Sequence, residues 1–324
     1  MPEAIIIREY GGPEVMKLEE ISTPAIGPNE LLISQKAIGI NFHDIYVRSG
    51  LYKSLALPGT PGIEGIGEII KIGSEVQGFS IGERVAYITS KYDGYSSERS
   101  LPADIAIPVP DEVDDVSVAA SILKGLTVQM LSKQVTQIKQ GDSVLIHAAA
   151  GGVGQLLVQA AKHMGAMVIG TVGSEAKAKE ALKSGCDHVI LYREQRVLDR
   201  VMEITGGEGV NKVYDSVGKD TFHDSLASLT FEGHLVNFGQ ASGPIEDFSI
   251  PMLSKKSSTL SRPMVFHYVR RREKLLEMSR EHFQAIIHGE LSMASPIQLP
   301  LKEAAKAHEL LASRKLTQPI VLIP

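Results

Sequence analysis

The fold of this chain is decided by one stretch, Ser143-Val-Leu-Ile-His-Ala-Ala-Ala-Gly-Gly-Val-Gly154. Residues 144–146 form a short apolar run with a β-branched bias, which predicts a buried strand. Apolar residues then recur at helical spacing over 153–161, and Gly165 provides a natural stop. A second apolar strand is predicted over 167–172. The stretch therefore predicts a strand–turn–helix–strand unit.

A glycine turn between a strand and a helix is suited to holding a diphosphate. Glycine lets the backbone approach the ligand closely, and the helix N-terminus offers free N–H groups at the positive end of its dipole. In a βαβ context the turn predicts a dinucleotide site with contacts from Gly151, Gly152, Val153 and Gly154. The alternative is an ordinary βα turn that happens to be rich in glycine.

Length and composition indicate an ordinary globular protein of two domains. The chain has 324 residues, of which 43% are hydrophobic and 22% charged. A net charge of −5 argues against a nucleic-acid surface over the whole protein, although Arg270-Arg-Arg272 is a local basic run. No apolar run approaches the ~20 residues of a membrane helix and no signal peptide is evident, so we expect a cytoplasmic protein. The single cysteine, Cys186, excludes an intramolecular disulfide and is expected to be a small core residue.

The chain has two successive regions with different sequence patterns. Short strands with frequent Gly and Pro turns dominate to about Pro110, which predicts a barrel-like β domain. After two predicted helices at 115–123 and 126–134, strands alternate with helices, which requires a parallel sheet covered on both faces. The predicted strands are 143–147, 167–172, 187–191, 210–214 and 234–238, and the helices between them are 151–164, 175–184, 195–204 and 219–229.

The last part of the chain is expected to finish both domains. Phe248-Ser-Ile250 is predicted as an edge strand, and helices are predicted over 274–288 and 301–313. The apolar end, 320–323, is predicted to be a strand that returns to the first domain, because the parallel sheet is already complete.

Motifs spread over the whole chain carry a family resemblance. They are Gly39-Ile-Asn-Phe-His-Asp-Ile-Tyr-Val-Arg-Ser-Gly-Leu-Tyr52, Pro61-Gly-Ile-Glu-Gly-Ile-Gly67, Lys124-Gly-Leu-Thr-Val128, His147-Ala-Ala-Ala-Gly-Gly-Val-Gly154, Tyr214-Asp-Ser-Val-Gly218 and Val236-Asn-Phe-Gly239. Together they resemble the NADPH-dependent quinone oxidoreductases, the zinc-free branch of the medium-chain dehydrogenase/reductase superfamily that includes zeta-crystallin. The resemblance implies an α/β fold: a GroES-like β-rich catalytic domain over 1–125, a Rossmann NADPH-binding domain with a doubly wound parallel sheet over 126–262, and a return to the catalytic domain over 263–324.

Two substitutions in these motifs argue against zinc. Zinc-dependent members of the superfamily carry a cysteine and a histidine where this chain has Asn41 and Ile63. An amide and an isoleucine cannot complete a tetrahedral zinc site. Without a Lewis acid, alcohol oxidation is hard, whereas quinones and activated enones can accept hydride directly. The sequence therefore favours metal-free reduction of a conjugated carbonyl, and His43 is expected to be a surface or structural residue.

The end of the second predicted strand favours NADPH over NADH. The tip, Gly173-Ser174, lacks the acidic residue that usually binds the ribose 2′-hydroxyl of NAD. Ser174 and Lys177 are predicted to bind the 2′-phosphate instead. Glu175 is the contrary signal, and we expect it to face solvent at a helix N-terminus. The alternative for Lys177 is a solvated helix lysine.

The resemblance implies the remaining site residues. Further cofactor contacts are expected from Asn41, Asp44, Tyr46, Thr127, Tyr192, Ser216, Phe238, Gly239, Ser261, Arg262 and Pro263. Asn41, Tyr46 and Tyr52 are the catalytic candidates, since either tyrosine could hydrogen-bond the developing oxyanion, although water could also protonate it. The alternative is that the tyrosines are surface aromatics. No buried acid is evident.

The sequence leaves three functions open. The favoured one is NADPH:quinone oxidoreductase activity, in which the acceptor stacks near the nicotinamide in a cleft between the domains. The second is NADPH-dependent reduction of 2-alkenals or enones. The third is a non-catalytic crystallin-like protein that binds NADPH or RNA. A homodimer through the edge of the Rossmann sheet is expected from the resemblance, with Phe248-Ser-Ile250 as the candidate edge.

Overall fold

The computed structural model describes all 324 residues, which divide by their contacts into two compact units. The first unit comprises Met1–Lys124, Val269–Ile287 and Met293–Pro324, and the second comprises Gly125–Tyr268 and His288–Ser292. The sequence placed the return to the first domain at residue 263, whereas the contacts keep the chain in the second unit up to Tyr268 and again over His288–Ser292.

The helices and strands alternate along the chain as follows. The strands are β1 (Glu3–Ile6), β2 (Lys17–Glu20), β3 (Glu30–Gly39), β4 (Glu64–Ile72), β5 (Arg84–Ile88), β6 (Glu98–Pro102), β7 (Ile107–Pro108), β8 (Ser143–Ile146), β9 (Met167–Val172), β10 (His188–Leu191), β11 (Val210–Asp215), β12 (Leu229–Asn237), β13 (Thr259–Ser261), β14 (Ile297–Pro300) and β15 (Ile320–Ile323). The α-helices are α1 (Phe42–Arg48), α2 (Asp115–Gln129), α3 (Gly152–His163), α4 (Glu175–Lys183), α5 (Val197–Ile204), α6 (Phe222–Ala227), α7 (Val265–Tyr268), α8 (Arg272–Ile287) and α9 (Ala304–Ala312). No helix is long and apolar enough to cross a membrane.

The first unit is built around a sheet centred on β3. The sheet has the order β14-β15-β3-β4-β5-β7, and β6 also pairs with β3. β3 is mostly buried because its apolar residues, among them Leu31 and Ile33, pack into a core with Ile69, Val85 and Tyr87. Its last residues lead directly into α1, so the first sequence motif is positioned by the most central strand of the unit.

The second unit is a parallel sheet with the order β10-β9-β8-β11-β12-β13. This is the Rossmann strand order, and ligands of such sheets bind where the order reverses, at the carboxyl ends of the strands. The reversal lies between β8 and β11. Inward-facing residues such as Leu145, Ile169, Val213 and Leu235 form the core beneath the sheet.

The prediction of an edge strand over Phe248-Ser-Ile250 is wrong. These residues are not a strand; Ile250 begins a 3₁₀ turn, Ile250–Lys255, and the sixth strand is β13. The reason is local, since Pro251 cannot donate to a strand ladder and is suited to the first turn of a helix. Phe248 instead packs edge-on against Phe222, with 5.5 Å between the ring centroids.

Several other predicted segments differ in extent. The two helices predicted over 115–134 are one continuous helix, α2, followed by a π-helical turn over Met130–Val135. β12 begins at Leu229, five residues before the predicted strand, and Glu232 within it adopts a left-handed φ of 59°. The predicted helix over 219–229 is correspondingly shortened to α6.

Candidate functional site

The glycine turn lies between β8 and α3 in the second unit. Gly151 is the N-cap of α3 and no side chain caps this helix, so the first N–H groups of α3 have no side-chain acceptor. A Cβ atom at Gly154 would collide with the carbonyl oxygen of Ala148, so only glycine allows the helix to pack this closely on the turn. The turn thus has the two properties that diphosphate binding requires, a close backbone approach and an uncapped helix N-terminus.

A buried hydrogen-bond network supports this turn from below. His147 contacts the Thr171 hydroxyl through Nδ1 at 3.0 Å and the Ser225 hydroxyl through Nε2 at 2.9 Å. Ser225 donates to Asp215 Oδ2 at 3.1 Å, and Asp215 Oδ1 accepts the N–H of Gly218 at 3.0 Å. Burial lowers the pKa of His147, so the imidazole is neutral. The network ties together the ends of β8, β9 and β11, where the sheet order reverses.

The residues predicted to select NADPH lie together at the end of β9. Ser174 is the N-cap of α4, and its hydroxyl oxygen accepts the N–H of Lys177 at 3.5 Å. The Tyr192 hydroxyl lies against Gly173, where a Cβ atom would be only 2.6 Å from it. Tyr192 is 50% exposed, and Glu175 is exposed in the first turn of α4. These positions are compatible with the predicted roles.

The ends of β11 and β12 bring a second group of predicted residues together. Gly239 packs on Ser216, with 2.5 Å between a Cβ built on Gly239 and the Ser216 carbonyl oxygen. Phe238 N–H donates to the Asp215 carbonyl oxygen at 2.8 Å. Arg262 donates to the Gly239 carbonyl oxygen at 2.9 Å. Three predicted residues, Ser216, Gly239 and Arg262, therefore form one cluster at the carboxyl edge of the sheet.

Three further predicted residues of the second unit are Ser261, Pro263 and Thr127. The Ser261 hydroxyl is paired with His234 Nε2 at 2.6 Å, and Pro263 and Thr127 are half-buried. His234 lines a surface groove of about 480 Å³ that includes none of the predicted site residues. The Ser261 hydroxyl is therefore hydrogen-bonded to a residue that lines this groove.

In the first unit, Asn41 is bound to the glutamate of the second motif. Glu64 is fully buried; its Oε1 accepts from Asn41 Nδ2 at 2.7 Å and from Lys124 Nζ at 3.2 Å. Its Oε2 accepts the N–H of Leu123 at 2.8 Å. The structure contains no group of three or more His, Cys, Asp or Glu residues that could hold a metal ion. The donors do not fit zinc, because the one carboxylate is already paired with an ammonium group and its neighbour Ile63 offers no ligand atom.

Asp44 is a second buried acid that the sequence did not reveal. Its Oδ2 accepts the N–H of Asn41 at 2.8 Å and the hydroxyl of Tyr95 at 3.2 Å. Tyr95 also contacts His308 Nε2 at 2.9 Å, and Arg48 contacts His308 Nδ1 at 3.4 Å. Burial raises the pKa of Asp44 to about 7, against the opposing effect of the Asn41 N–H. The signal in the sequence was the spacing of Asn41 and Asp44, which form a capping box at the start of α1.

The two candidate tyrosines belong to an aromatic group. Tyr46 and Tyr52 are edge-to-face with 5.2 Å between ring centroids, and His43 lies 5.6 Å from Tyr52. Tyr92, which sequence reasoning missed, stacks on His43 at 6.0 Å and shares a hydrogen bond with Ser54. Burial lowers the pKa of His43 to about 4, so this ring is neutral. Tyr92 has a left-handed φ of 63°, a conformation that nothing in the sequence signals for tyrosine.

The basic run at the start of α8 is partly structural. Arg272 donates to the carbonyl oxygens of Ala103 at 2.9 Å and Ala106 at 3.0 Å, and its guanidinium lies 5.5 Å from the Phe79 ring centroid. Arg270 is exposed. The run therefore does not present all of its guanidinium groups to solvent.

Together, the Rossmann strand order of the second unit and the β-rich first unit, which β15 joins beside β3, define a two-domain dehydrogenase/reductase. Family models agree: the alcohol dehydrogenase GroES-like domain matches residues 27–110, and the zinc-binding dehydrogenase domain matches residues 152–281. The chain belongs to the quinone oxidoreductase family of the medium-chain dehydrogenase/reductase superfamily.

The family assignment is based on relatives that match over their full length. Quinone oxidoreductase 1 of Escherichia coli K12 is 43% identical, and the match covers 100% of both chains. The crystal structure of Escherichia coli quinone oxidoreductase complexed with NADPH has a TM-score of 0.96 at 42% identity, and covers 99% of this chain and 100% of that one. A 2-haloacrylate reductase of a Burkholderia species is 40% identical, over 100% of this chain and 99% of the relative.

Proposed function

We propose that this protein reduces quinones with NADPH by hydride transfer and without a metal. The observation that carries the proposal is that Asn41 and Ile63 stand where zinc-dependent members of the superfamily carry a cysteine and a histidine. The neighbouring Glu64 carboxylate is already bound by Asn41 and Lys124. NADPH supplies the hydride when it is bound. The chain supplies no Lewis acid at this place, so the acceptor must already be electrophilic. The relative crystallised with NADPH supports the choice of cofactor.

The cofactor is proposed to lie on the glycine turn, with its diphosphate at the N-terminus of α3. Ser174 and Lys177 would hold the 2′-phosphate, and Tyr192 would contact the adenosine end. Lys177→Ala is expected to raise KM for NADPH about tenfold and to leave KM for NADH unchanged, because one charge-assisted contact is worth ~1.5–3 kcal/mol. Lys179→Ala, an exposed lysine of the same helix, is the matched control. Equal KM values for NADPH in both variants would remove Lys177 from the site.

The acceptor is proposed to bind against the aromatic group of the first unit. A planar quinone can stack on aromatic rings, and the hydroxyl groups of Tyr46 and Tyr52 can donate to a developing oxyanion. Tyr46→Phe and Tyr52→Phe are the tests, with Tyr10→Phe as control because the Tyr10 hydroxyl donates to the Leu55 carbonyl oxygen at 3.0 Å. If kcat is unchanged in both site variants, neither tyrosine donates in the slow step.

A second candidate function is the reduction of activated alkenes. The observation that favours it is the similarity to a 2-haloacrylate reductase over the whole chain. Initial rates with 1,4-benzoquinone, a 2-alkenal and 2-chloroacrylate, each with NADPH and NADH, separate the two functions. Faster turnover of the alkenes would replace the quinone assignment. Stoichiometric zinc in the purified protein would contradict the metal-free mechanism.

Assembly, location and the third function complete the proposal. β13 pairs with β12 on one side only, and the unpaired N–H and C=O groups of its other edge favour a homodimer. Sedimentation velocity tests this, and a monomer would contradict it.

We further propose a cytoplasmic location, which cell fractionation tests. RNA binding is the disfavoured alternative because Arg272 is engaged; pull-down of single-stranded RNA over a salt series would detect it.

A further inference from the structure

The segment that follows α1 carries Tyr52 but is largely exposed. Lys53 and Ser54 are exposed, and Tyr52 is half-buried. The backbone N–H of Tyr52 donates to the Tyr46 carbonyl oxygen at 3.0 Å, which joins the start of the segment to α1. Further along, burial does not hold the chain until Leu55, whose side chain is 7% exposed. The residues between these two points therefore need another contact to stay in place.

The Ser54 hydroxyl supplies this contact, because it shares a hydrogen bond with the Tyr92 hydroxyl. Tyr92 is only 5% exposed, and its hydroxyl also lies 3.4 Å from His43 Nε2. Burial raises the pKa of Tyr92, so its hydroxyl keeps its proton at neutral pH. An exposed serine is thus tied to a buried tyrosine 38 residues further along the chain.

The backbone around Tyr92 is fixed to the second sequence motif. The N–H of Asp93 donates to the Thr60 carbonyl oxygen at 3.0 Å, and the N–H of Tyr95 donates to the Pro61 carbonyl oxygen at 2.8 Å. Tyr92 and Asp93 have left-handed φ values of 63° and 65°. Such a φ is unfavourable for tyrosine, and it persists where the surrounding contacts impose it, often at functional sites. Tyr92 is therefore a rigid anchor whose hydroxyl is brought to the exposed segment.

The anchored segment supplies one ring of the aromatic group. The Tyr52 ring lies edge-to-face on Tyr46 at 5.2 Å and 5.6 Å from the His43 ring. Tyr46 and His43 stand on α1, which the fully buried Val47 holds in the core of the unit. Tyr52 stands on the exposed segment, two residues before Ser54. Because the tie at Ser54 restricts the ring in advance, less conformational entropy is lost when a ligand orders it.

We propose that Tyr92 and Ser54 are positioning residues for the acceptor, since their hydrogen bond holds Tyr52 beside Tyr46 in the arrangement that a quinone ring contacts. This role rests on the proposed function, in which the acceptor binds against the aromatic group. Neither Tyr92 nor Ser54 contacts the acceptor in this role, and both act on it through Tyr52. The pair therefore affects use of the acceptor and leaves the affinity for NADPH unchanged.

The first experiment measures local opening of the segment as the rate at which trypsin cuts after Lys53, the exposed residue before Ser54. Tyr92→Phe removes the hydroxyl and leaves the cleaved sequence unchanged, so it should raise this rate at least ~3-fold. Tyr87→Phe is the matched control, because it removes a buried hydroxyl of the same unit that donates to Gln35 Oε1 at 2.6 Å. An unchanged rate in Tyr92→Phe, or an equal rise in both variants, would overturn the proposal.

The second experiment measures kcat/KM for 1,4-benzoquinone at saturating NADPH. Ser54→Ala and Tyr92→Phe should each lower it about fivefold, the effect of losing one neutral hydrogen bond, with KM for NADPH within ~2-fold of the native value. Ser54→Thr keeps the hydroxyl and should retain the native kcat/KM. The double variant should be no worse than Tyr92→Phe alone, because both changes break the same bond. A native value in Ser54→Ala, equal losses in Ser54→Ala and Ser54→Thr, or additive losses in the double variant would refute the positioning role.

Tyr52→Ala separates the failure of this proposal from the failure of the proposed acceptor site. If the pair acts through Tyr52, Ser54→Ala should cause no further loss of kcat/KM in the Tyr52→Ala background. A loss in Tyr52→Ala without a loss in Ser54→Ala would refute the positioning role alone. An unchanged kcat/KM in Tyr52→Ala would remove Tyr52 from the acceptor site, and the positioning role would fall with it.

Discussion

Replacing Lys124 with methionine should strongly destabilise the first unit, because it leaves the buried Glu64 carboxylate without its counter-charge. Lys124 Nζ lies 3.2 Å from Glu64 Oε1, and the two side chains are 8% and 0% exposed. At an effective dielectric constant of about 20, opposite charges at this distance attract by about 5 kcal/mol. Asn41 and Leu123 still donate to the carboxylate, so part of the charge remains compensated. We expect a loss of ~3–5 kcal/mol in the free energy of unfolding.

A matched control exists in the same unit. Lys36 and Glu68 form an ion pair at the same distance, 3.2 Å, but their side chains are 46% and 41% exposed. Solvent screens this pair, so Lys36→Met should cost less than ~1 kcal/mol. The comparison isolates the effect of burial, since the distance and the substitution are the same.

Urea unfolding followed by far-UV circular dichroism measures both variants. The double variant Glu64→Gln/Lys124→Met removes both charges, and it should be at least ~2 kcal/mol more stable than the sum of the two single losses predicts. If Lys124→Met is as stable as Lys36→Met, or if the double variant is simply additive, the reasoning from a buried charge is wrong.

Three further substitutions or treatments test other parts of the structure. Gly154→Ala should weaken NADPH binding at least ~10-fold, because the new Cβ atom would displace the Ala148 carbonyl group from the turn. Fluorescence titration measures the affinity, and an unchanged value would mean that the turn does not hold the diphosphate. Arg272→Ala should lower stability by ~1–2 kcal/mol in thermal melts, because two part-buried carbonyl groups lose their charged donor. Arg270→Ala should stay within ~0.5 kcal/mol, and equal melting of the two variants would contradict this. Burial raises the pKa of Cys186 to about 12, so a disulfide reagent at about pH 8 should react with the thiol only after unfolding in urea. Fast labelling of the native protein would instead show that the thiol is accessible.

The second unit was largely predictable from sequence because its signals are local. Each βα unit has an apolar strand, a turn and an amphipathic helix within about 25 residues, so pattern and structure coincide. β9 has the predicted bounds, and β8 ends one residue before the predicted end. One failure is Phe248-Ser-Ile250, where Pro251 favours a 3₁₀ turn. The other is the start of β12, where Leu229 pairs with Val210 five residues before the predicted strand.

The first unit shows why site residues are harder to predict than folds. Asp44 and His308 are joined through Tyr95, although they lie far apart in the chain, and no local pattern connects them. The motif that contains Asn41 was recognised, but the pairing of Asn41 with Glu64 requires β3 and β4 to be placed side by side. No sequence pattern indicated that Tyr92 belongs to the aromatic group, since its position depends on a left-handed turn in an irregular loop.

The pairing of β15 with β3 has a consequence for synthesis in the cell. Val321 pairs with Gly39, so these two neighbours leave the ribosome roughly 280 residues apart, which is tens of seconds of translation. During that interval the second unit can complete its sheet, and β3 can pair with β4 and β6, but the end of β3 at Ile38 and Gly39 still lacks β15. An unpaired strand end of this kind can pair with another chain, so we expect the first unit to remain prone to aggregation until β15 has been synthesised.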